Sequence, residues 1–441
     1  MDKLVLELDD LFQKHINAQK EPKEEPGYQM TKAEEEEALA FLKRPDLLEE
    51  VARHFEVCGI VGEKTNCQAL WLGGISRFLQ APLMIMLQSL SGAGKSSLME
   101  ALLKMIPEDH KIFLSAMTGK CLYYMDGVFV LSHKILAIAE EKGLEQAVYA
   151  LKTLQSEGIL TIASTGRNPD KGRLEPQFYK VRGPVMIIFT TTNAELDDEL
   201  LNRCLILLLN ITAEQTRAIH QLQRKKRTLE GLKGEKEMEK ILKLQQNAQR
   251  LLRPVRVVNP YADDLEFLFN RLQTRRDNEK YLTMIEALAF AHQYQKPIKK
   301  MKEDGEEILY IEVTLEDIKV ANRICNEILG HSLDDMLPQT KLFLDLIYEM
   351  VQKECEKQSI DQKFCPFTQR QIREYTGWRG TSVSNHLKRL VELEYVLKHS
   401  GKKDAQCLYE LFYKGEGKDG RPFMLGLVDI EELAKKHQRH E

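Results

Sequence analysis

Residues 82–106, PLMIMLQSLSGAGKSSLMEALLKMI, dictate more about the fold than any other part of this chain. Positions 83–87 form a continuous apolar run, as a strand buried on both faces requires. The loop Ser91-Gly92-Ala93-Gly94-Lys95-Ser96-Ser97 follows, and then Leu98, Ala101, Leu102, Met105 and Ile106 recur at helical spacing. Strand, glycine loop and helix in that order make a phosphate cradle. The glycines let backbone N–H groups turn inward, and the helix N-terminus favours negative charge. In such a cradle residues Gly92, Ala93, Gly94, Lys95, Ser96 and Ser97 bind a nucleotide. Lys95 reaches the β- and γ-phosphates, and the Ser96 hydroxyl sits on Mg²⁺. The full pattern G-x-x-x-x-G-K-[ST] has Gly where this chain has Ser89, but the G-x-G-K-S core is intact. The bland alternative is a Gly/Ser turn before a helix.

The 441 residues leave room for two or three domains. A hydrophobic content of 43% and a charged content of 29% fit a soluble globular protein. The net charge of −4 means that any nucleic-acid contact must come from local basic patches. The eight cysteines include no C-x-x-C pair, which speaks against a zinc ribbon or a redox motif. Reduced thiols, as in a cytosolic protein, are the expectation. Met1-Asp2-Lys3 leads into an acidic segment without a signal-peptide pattern, and no apolar run approaches a membrane span. No membrane partner is expected.

Residues 1–30 place Leu4, Leu8, Leu11 and Phe12 at helical spacing, followed by a Lys, Glu, Pro and Gly linker. That helix either docks on a partner or rests on its own body. Residues 31–80 form a helical lead-in. Thr31 is its N-cap with acids in the first turn, and Gly59, Gly62 and Gly73-Gly74 break it into short helices.

Residues 81–212 carry the chemistry. Beyond the cradle, 111–116 and 133–139 are strand candidates, and the second ends in Glu140-Glu141. In P-loop ATPases an apolar strand ends in two carboxylates. The first, here Glu140 where Asp is usual, holds the Mg²⁺ shell, and the second, Glu141, orients the attacking water. Alternatively the two acids simply open a solvated loop. After a helix over 144–156, residues 158–183 read as an inserted hairpin whose tip carries Arg167, Lys171 and Arg173, placed to grip a phosphate backbone. Residues 185–191 are another buried strand, ending near Asn193. There a polar side chain would sense the γ-phosphate or position water. A short helix over 196–202 leads to Arg203, the usual place of a finger aimed at a neighbouring subunit's nucleotide, and 205–209 is a fifth strand.

GAGKSS, the strand ending in Glu140-Glu141, the hairpin runs ILTIAST and KVRGP, the strand end TTTN and the run ELLNRC together resemble an AAA+ ATPase. The inserted hairpin resembles those of minichromosome-maintenance-type helicases. More closely, residues 31–429 resemble the helicase-like half of the primase-helicase proteins of bacterial mobile elements, in phrases such as LQSEGILTIASTG, EQTRAIH and RRDNEKYL. Those proteins carry a zinc finger and a Toprim region ahead of the ATPase. This chain has neither the cysteine pattern nor the room, so the resemblance implies a separate primase as partner.

Residues 213–332 are a helical linker and lid. The stretch 213–253 reads as one long charged helix with Arg224, Lys225, Lys226 and Arg227 on a solvated face. Helices over 265–272 and 281–293 make the lid, and Arg275-Arg276 precede the second. The resemblance makes one of the two, Arg276 for preference, a second phosphate-sensing residue. Residues 338–429 read as three helices and a hairpin, the winged helix-turn-helix pattern. Arg379, Ser382, Ser384, Asn385, Lys388 and Arg389 are placed for duplex DNA, and Lys402 and Lys403 tip the wing. Residues 430–441 read as a basic tail.

The expected fold is α/β: an AAA+ P-loop ATPase with a helical N-terminal lead-in, a helical lid and a C-terminal winged helix domain. The expected activity is ATP-dependent, Mg²⁺-requiring translocation on DNA or its unwinding, in replication of a mobile element. A homo-oligomeric ring, a hexamer, would hold single-stranded DNA in its channel, in a cytoplasmic, nucleoid-associated protein. An ATP-switched initiator or helicase loader, and a non-enzymatic regulator with a structural ATP site, are the alternatives.

Overall fold

The computed structural model describes residues 28–89, 92–115, 131–139, 144–167, 174–191, 198–265, 272–303, 305–330, 338–399, 407–415 and 427–437. The segment before residue 28, read above as a helix and linker, lies outside them. The lead-in is three helices, α1 (Lys32–Leu42), α2 (Leu47–Val57) and α3 (Lys64–Ser76). Thr31 caps α1 in a capping box. Its hydroxyl accepts from Glu34 N, and Thr31 N donates to the Glu34 carboxylate at 2.9 Å. The breaks fall at Pro45, which removes a backbone donor, and at Gly59 and Gly62, whose φ values are +99° and +72°. Gly73-Gly74 break nothing, contrary to the sequence expectation. Both lie inside α3 and are buried. A Cβ on Gly73 would collide with Ile85 Cδ1, and one on Gly74 would come within 3.4 Å of Leu102 Cδ1. These glycines let α3 lie directly on the sheet.

The sheet follows. Its elements are β1 (Met84–Gln88), α4 (Lys95–Met105), β2 (Lys111–Leu114), β3 (Lys134–Ile138), α5 (Leu144–Glu157), the hairpin β4 (Ile159–Arg167) and β5 (Leu174–Arg182), β6 (Val185–Thr191), α6 (Asp198–Arg203) and β7 (Cys204–Leu208). Five strands are parallel in the order β2-β3-β6-β1-β7, so β6 separates the cradle strand from the strand leading to Glu140. The period-two alternation sorts the side chains. Ile85, Leu87, Ile135, Ala137, Met186 and Ile188 face α3 and α4, in a core shared with the lead-in. Met84, Met86, Leu136, Ile138, Ile187 and Phe189 face α5 and α6, with Leu151, Leu154 and Leu200. Leu160 and Val181, at the base of the hairpin, join this second layer. Both faces are covered, which is why the strands read as unbroken apolar runs.

Residues 213–253 form two helices, not one: α7 (Ala213–Lys225) and α8 (Leu229–Leu251). Thr228 ends the run, because its hydroxyl accepts from Gly231 N and caps α8. Arg224, Lys225, Lys226 and Arg227 are exposed. α8 returns to the lead-in, where Gln245 accepts from Trp71 Nε1 at 3.1 Å and pairs with His54 Nδ1 at 2.7 Å. Then come β8 (Arg256–Val258), α9 (Leu272–Ala291), β9 (Lys299–Glu303), β10 (Glu306–Glu312) and α10 (Leu315–Leu329). β8, β10 and β9 make a small mixed sheet. Only β10 was expected, because Lys299-Lys300-Met301-Lys302-Glu303 shows no apolar alternation. The first expected helix of this segment falls largely on 266–271, outside the described residues. Arg275 and Arg276 lie inside α9 rather than before a helix.

The C-terminal module comprises α11 (Pro338–Gln358), β11 (Phe367–Thr368), α12 (Gln369–Thr376), α13 (Gly380–Glu392), β12 (Val396–His399) and β13 (Leu408–Leu411), with an antiparallel sheet in the order β11-β13-β12. Its core is its own: Phe343, Ile347, Val351, Ile372, Val383, Leu387, Leu390 and Tyr395. The chain then comes back. The segment read as a basic tail forms α14 (Ile430–His437), and Leu433 and Val428 are buried in the main core. Asn322 Nδ2 donates to the Val428 carbonyl at 3.2 Å. An amphipathic pattern only eight residues long was hidden by its closing Lys435-Lys436-His437. No helix among the described residues is long and apolar enough to cross a membrane.

Candidate functional site

β1 ends at Gln88, and the loop beyond it is shaped by Gly92 and Gly94, at φ +82° and +99°, which L side chains rarely adopt. A Cβ at either would meet nothing within 4 Å among the described residues. Gly94 is the N-cap of α4 and brings no capping side chain, which leaves the first-turn N–H groups of the helix for a ligand. Lys95 opens α4 and is only 8% exposed. Its ammonium donates to the Ser89 carbonyl at 2.7 Å and so spans the loop. Burial disfavours the charged form and lowers its pKa, a penalty that a polyphosphate would offset. Ser96 and Ser97 are exposed in the first turn. Glycine cradle, free helix terminus, converging ammonium and exposed hydroxyl fit a nucleoside triphosphate with Mg²⁺. Ser89 takes part through its carbonyl, so a side chain where glycine is usual does not obstruct the loop.

The strand register brings the ends of β3 and β6 to the same edge of the sheet as the end of β1. Thr191 pairs with Gln88, and Asn193 follows two residues on. The Thr190 hydroxyl donates to the Ala139 carbonyl at 2.6 Å, tying the end of β6 to the end of β3 one residue before Glu140. Glu140, Glu141 and Asn193 themselves lie outside the described residues. Sequence reasoning missed Glu63. It is buried beside the end of β7 and accepts from Asn66 Nδ2 (2.6 Å), Asn210 N (2.9 Å) and Gln215 Nε2 (2.8 Å). This fixes the Gly59–Glu63 turn next to the cradle edge. One acid in a charged lead-in gives no sequence signal for that.

Arg203 stands at the other end of the sheet. It closes α6 directly before Cys204, which pairs with Met84, the first residue of β1. Four steps of about 3.3 Å along β1, roughly 13 Å, separate that level from Gln88 before the loop begins. Arg203 therefore does not reach its own chain's cradle. Its Nη2 donates to Glu199 at 2.8 Å and its Nη1 to the Ser156 hydroxyl, while Nε is buried with no partner among the described residues. Arg276 lies with it. Its Nη1 donates to the Glu199 carbonyl at 3.1 Å. Both line a cavity of about 220 Å³ bounded by Ala81, Pro82, Leu83 and Met84. Arg276 thus stands beside Arg203, on the side of Met84 rather than of Gln88.

In the C-terminal module Val383, Leu387 and Leu390 turn one face of α13 inward, leaving Ser384, Asn385, Lys388 and Arg389 exposed, with Arg379 exposed at its N-cap and Ser382 half-buried. Ser384, Lys388 and Arg389 border an open groove of about 910 Å³ with Gln369, Lys398 and Tyr409. Glu392, 3.2 Å from Arg389, tempers the positive charge there. Arg167 ends β4, but its side chain, like Lys171, Arg173, Lys402 and Lys403, lies outside the described residues. Among the described residues no group of three His, Cys, Asp or Glu side chains is placed to hold a metal ion.

No curated protein matches this chain. Residues 31–252, from the cap of α1 to the end of α8 and just over half of the chain, match the family described as MTBMA_p00010 P-loop domain. With the strand–glycine loop–helix cradle at its centre, the chain belongs to that P-loop domain family.

Proposed function

We propose that this protein is an AAA+ ATPase working as a ring on DNA, a helicase or translocase. The observation that carries this reading is the separation of Lys95 and Arg203 at opposite ends of β1 and β7. A guanidinium so placed serves a nucleotide bound by another copy, and a closed ring, a hexamer by resemblance, completes every site in that way. Lys95 and the first-turn N–H groups of α4 hold the triphosphate. Ser96 and Glu140 would hold Mg²⁺, which would supply charge neutralisation for the triphosphate. Glu141 orients the attacking water, Asn193 reports on the γ-phosphate, and Arg203 stabilises the transferring group from the neighbour.

DNA contact falls to two places. The hairpin β4–β5, with Arg167, Lys171 and Arg173 at its tip, would point basic groups into a channel holding single-stranded DNA. The C-terminal module has the helix and strand order of a winged helix, with α13 as its recognition helix for duplex DNA. By resemblance the setting is replication of a mobile element, with a separate primase. The test is ATP turnover and strand displacement with and without single-stranded DNA. DNA-stimulated turnover with displacement supports the proposal. Stimulated turnover without displacement would instead favour an initiator or loader, and no turnover would leave a regulator. Arg203→Ala should keep ATP binding, lose turnover and poison wild-type rings more than in proportion to its share.

A further inference from the structure

At the end of the sheet remote from Lys95, one carboxylate collects three cations from three elements. Glu199 Oε2 accepts from Lys152 Nζ of α5 at 2.6 Å, and Oε1 accepts from Arg203 Nη2 of α6 at 2.8 Å. Arg276 Nη2, from α9, stands 3.8 Å from the same Oε1, while its Nη1 holds the Glu199 backbone carbonyl. Hydrogen bonds from Lys152 and then Arg203 hold the Glu199 carboxyl down at about 2, so it stays ionised at any working pH. The side chain is about half exposed, at 48%, and exposed ion pairs add little to stability. What this arrangement does is fix two guanidinium groups beside one another. Without the carboxylate, three like charges would repel, while the bond from Arg276 to the Glu199 backbone carbonyl would remain.

We propose that Glu199 is the positioning residue of the inter-subunit site: it gathers Arg203 and Arg276 so that a neighbour's triphosphate meets both as one unit. This rests on the reading that Arg203 serves the neighbouring nucleotide. The triphosphate carries more negative charge than the carboxylate and competes for the outward N–H groups, while Glu199 keeps the roots of both side chains in register.

The test uses full-length protein. Glu199→Ala, Glu199→Gln and Arg203→Ala are assayed alone and mixed with Lys95→Ala, with a fluorescent ATP analogue for affinity and mass photometry for assembly. Both Glu199 variants should bind nucleotide as tightly as wild type, with kcat lower on the order of 10²-fold. Mixing with Lys95→Ala should restore turnover, because each Lys95→Ala neighbour offers an intact Glu199 cluster. In the Arg203→Ala background Glu199→Ala should lower kcat far less than in wild type, by its effect on Arg276 alone, and an equal loss in both backgrounds would overturn the proposal. If Glu199→Ala does not fold, Glu199→Gln, equal in size, carries the test. Wild-type kcat in Glu199→Gln would overturn the proposal. So would a loss that mixing fails to restore while it restores Arg203→Ala, and in that case the inter-subunit reading of Arg203 survives. If Arg203→Ala is not restored either, that reading fails and Glu199 falls with it.

Discussion

Lys95 reaches back across its own loop to the carbonyl of Ser89, 2.7 Å away, and so ties the start of α4 to the residue that follows β1. Lys95→Ala should lower ATP turnover by at least about 10²–10³-fold, as loss of one transition-state donor does. The melting temperature without nucleotide should barely change, because burial already disfavours the ammonium. The rise in melting temperature on adding ATP should vanish. Calorimetry with and without ATP checks both.

Glu141→Gln should bind ATP and lower hydrolysis by about 10²–10⁴-fold, since an amide does not polarise water as a carboxylate does. Turnover at the native rate in this variant would remove Glu141 from the assignment.

Gly73→Ala places a methyl group against Ile85 Cδ1 in a filled core. Overpacking typically costs about 1–3 kcal/mol, against about 1 kcal/mol gained in helix propensity. The variant should be less stable in urea, and adding Ile85→Val, which removes the colliding carbon, should recover much of the loss. Additive losses in the double variant would show that α3 has moved away from β1 instead.

Asp317 lies in a second buried cluster. Burial raises its pKa, but hydrogen bonds from His292 (3.1 Å) and Lys296 (2.5 Å) outweigh it and hold the carboxyl at about 2. Asp317→Asn leaves the Lys296 ammonium buried without its counter-charge and should cost about 3–5 kcal/mol near neutral pH. The folded pKa is depressed, so this stabilisation is complete above the ordinary value of 3.8 and fades as the pH falls towards 2. Denaturation midpoints of wild type and variant should therefore converge over that window. A gap that stayed constant would assign the loss to packing.

The hairpin and α13 should separate two kinds of DNA contact. Replacing Arg167, Lys171 and Arg173 by Ala should reduce DNA-stimulated ATPase and flatten the salt dependence of binding by up to about three phosphate contacts. Replacing Asn385, Lys388 and Arg389 should weaken duplex binding and leave the basal ATPase rate alone. Full DNA stimulation in the first variant and its loss in the second would contradict a channel and favour a DNA-tethered switch.

The cradle was legible because a buried parallel strand and a glycine loop leave a local imprint: 83–87 predicted β1 to within a residue. The capped start at Thr31 was legible too, since a capping box is a short-range pattern. What sequence reasoning missed depends on distant partners. Gly73 and Gly74 look like breakers until β1 and α4 are laid against them. Glu199 looks like any surface acid until Lys152 and Arg276, 47 and 77 positions away, come to it. β9 pairs with β10 through its backbone, and its lysine-rich side chains do not announce a strand.

Because α14 returns to the main core, the C-terminal module is an insertion with two covalent leads and not an appendage on one. A chain cut before Pro338 would lose Val428 and Leu433 along with the module. It would open an apolar trough beside α10 and strip Asn322 of its acceptor. Such a truncation would report a damaged main body as well as a missing module. Excising the module between α10 and residue 427, with α14 retained, removes one without the other. The same geometry means that a pull on α13 is shared between two anchors on neighbouring parts of one core.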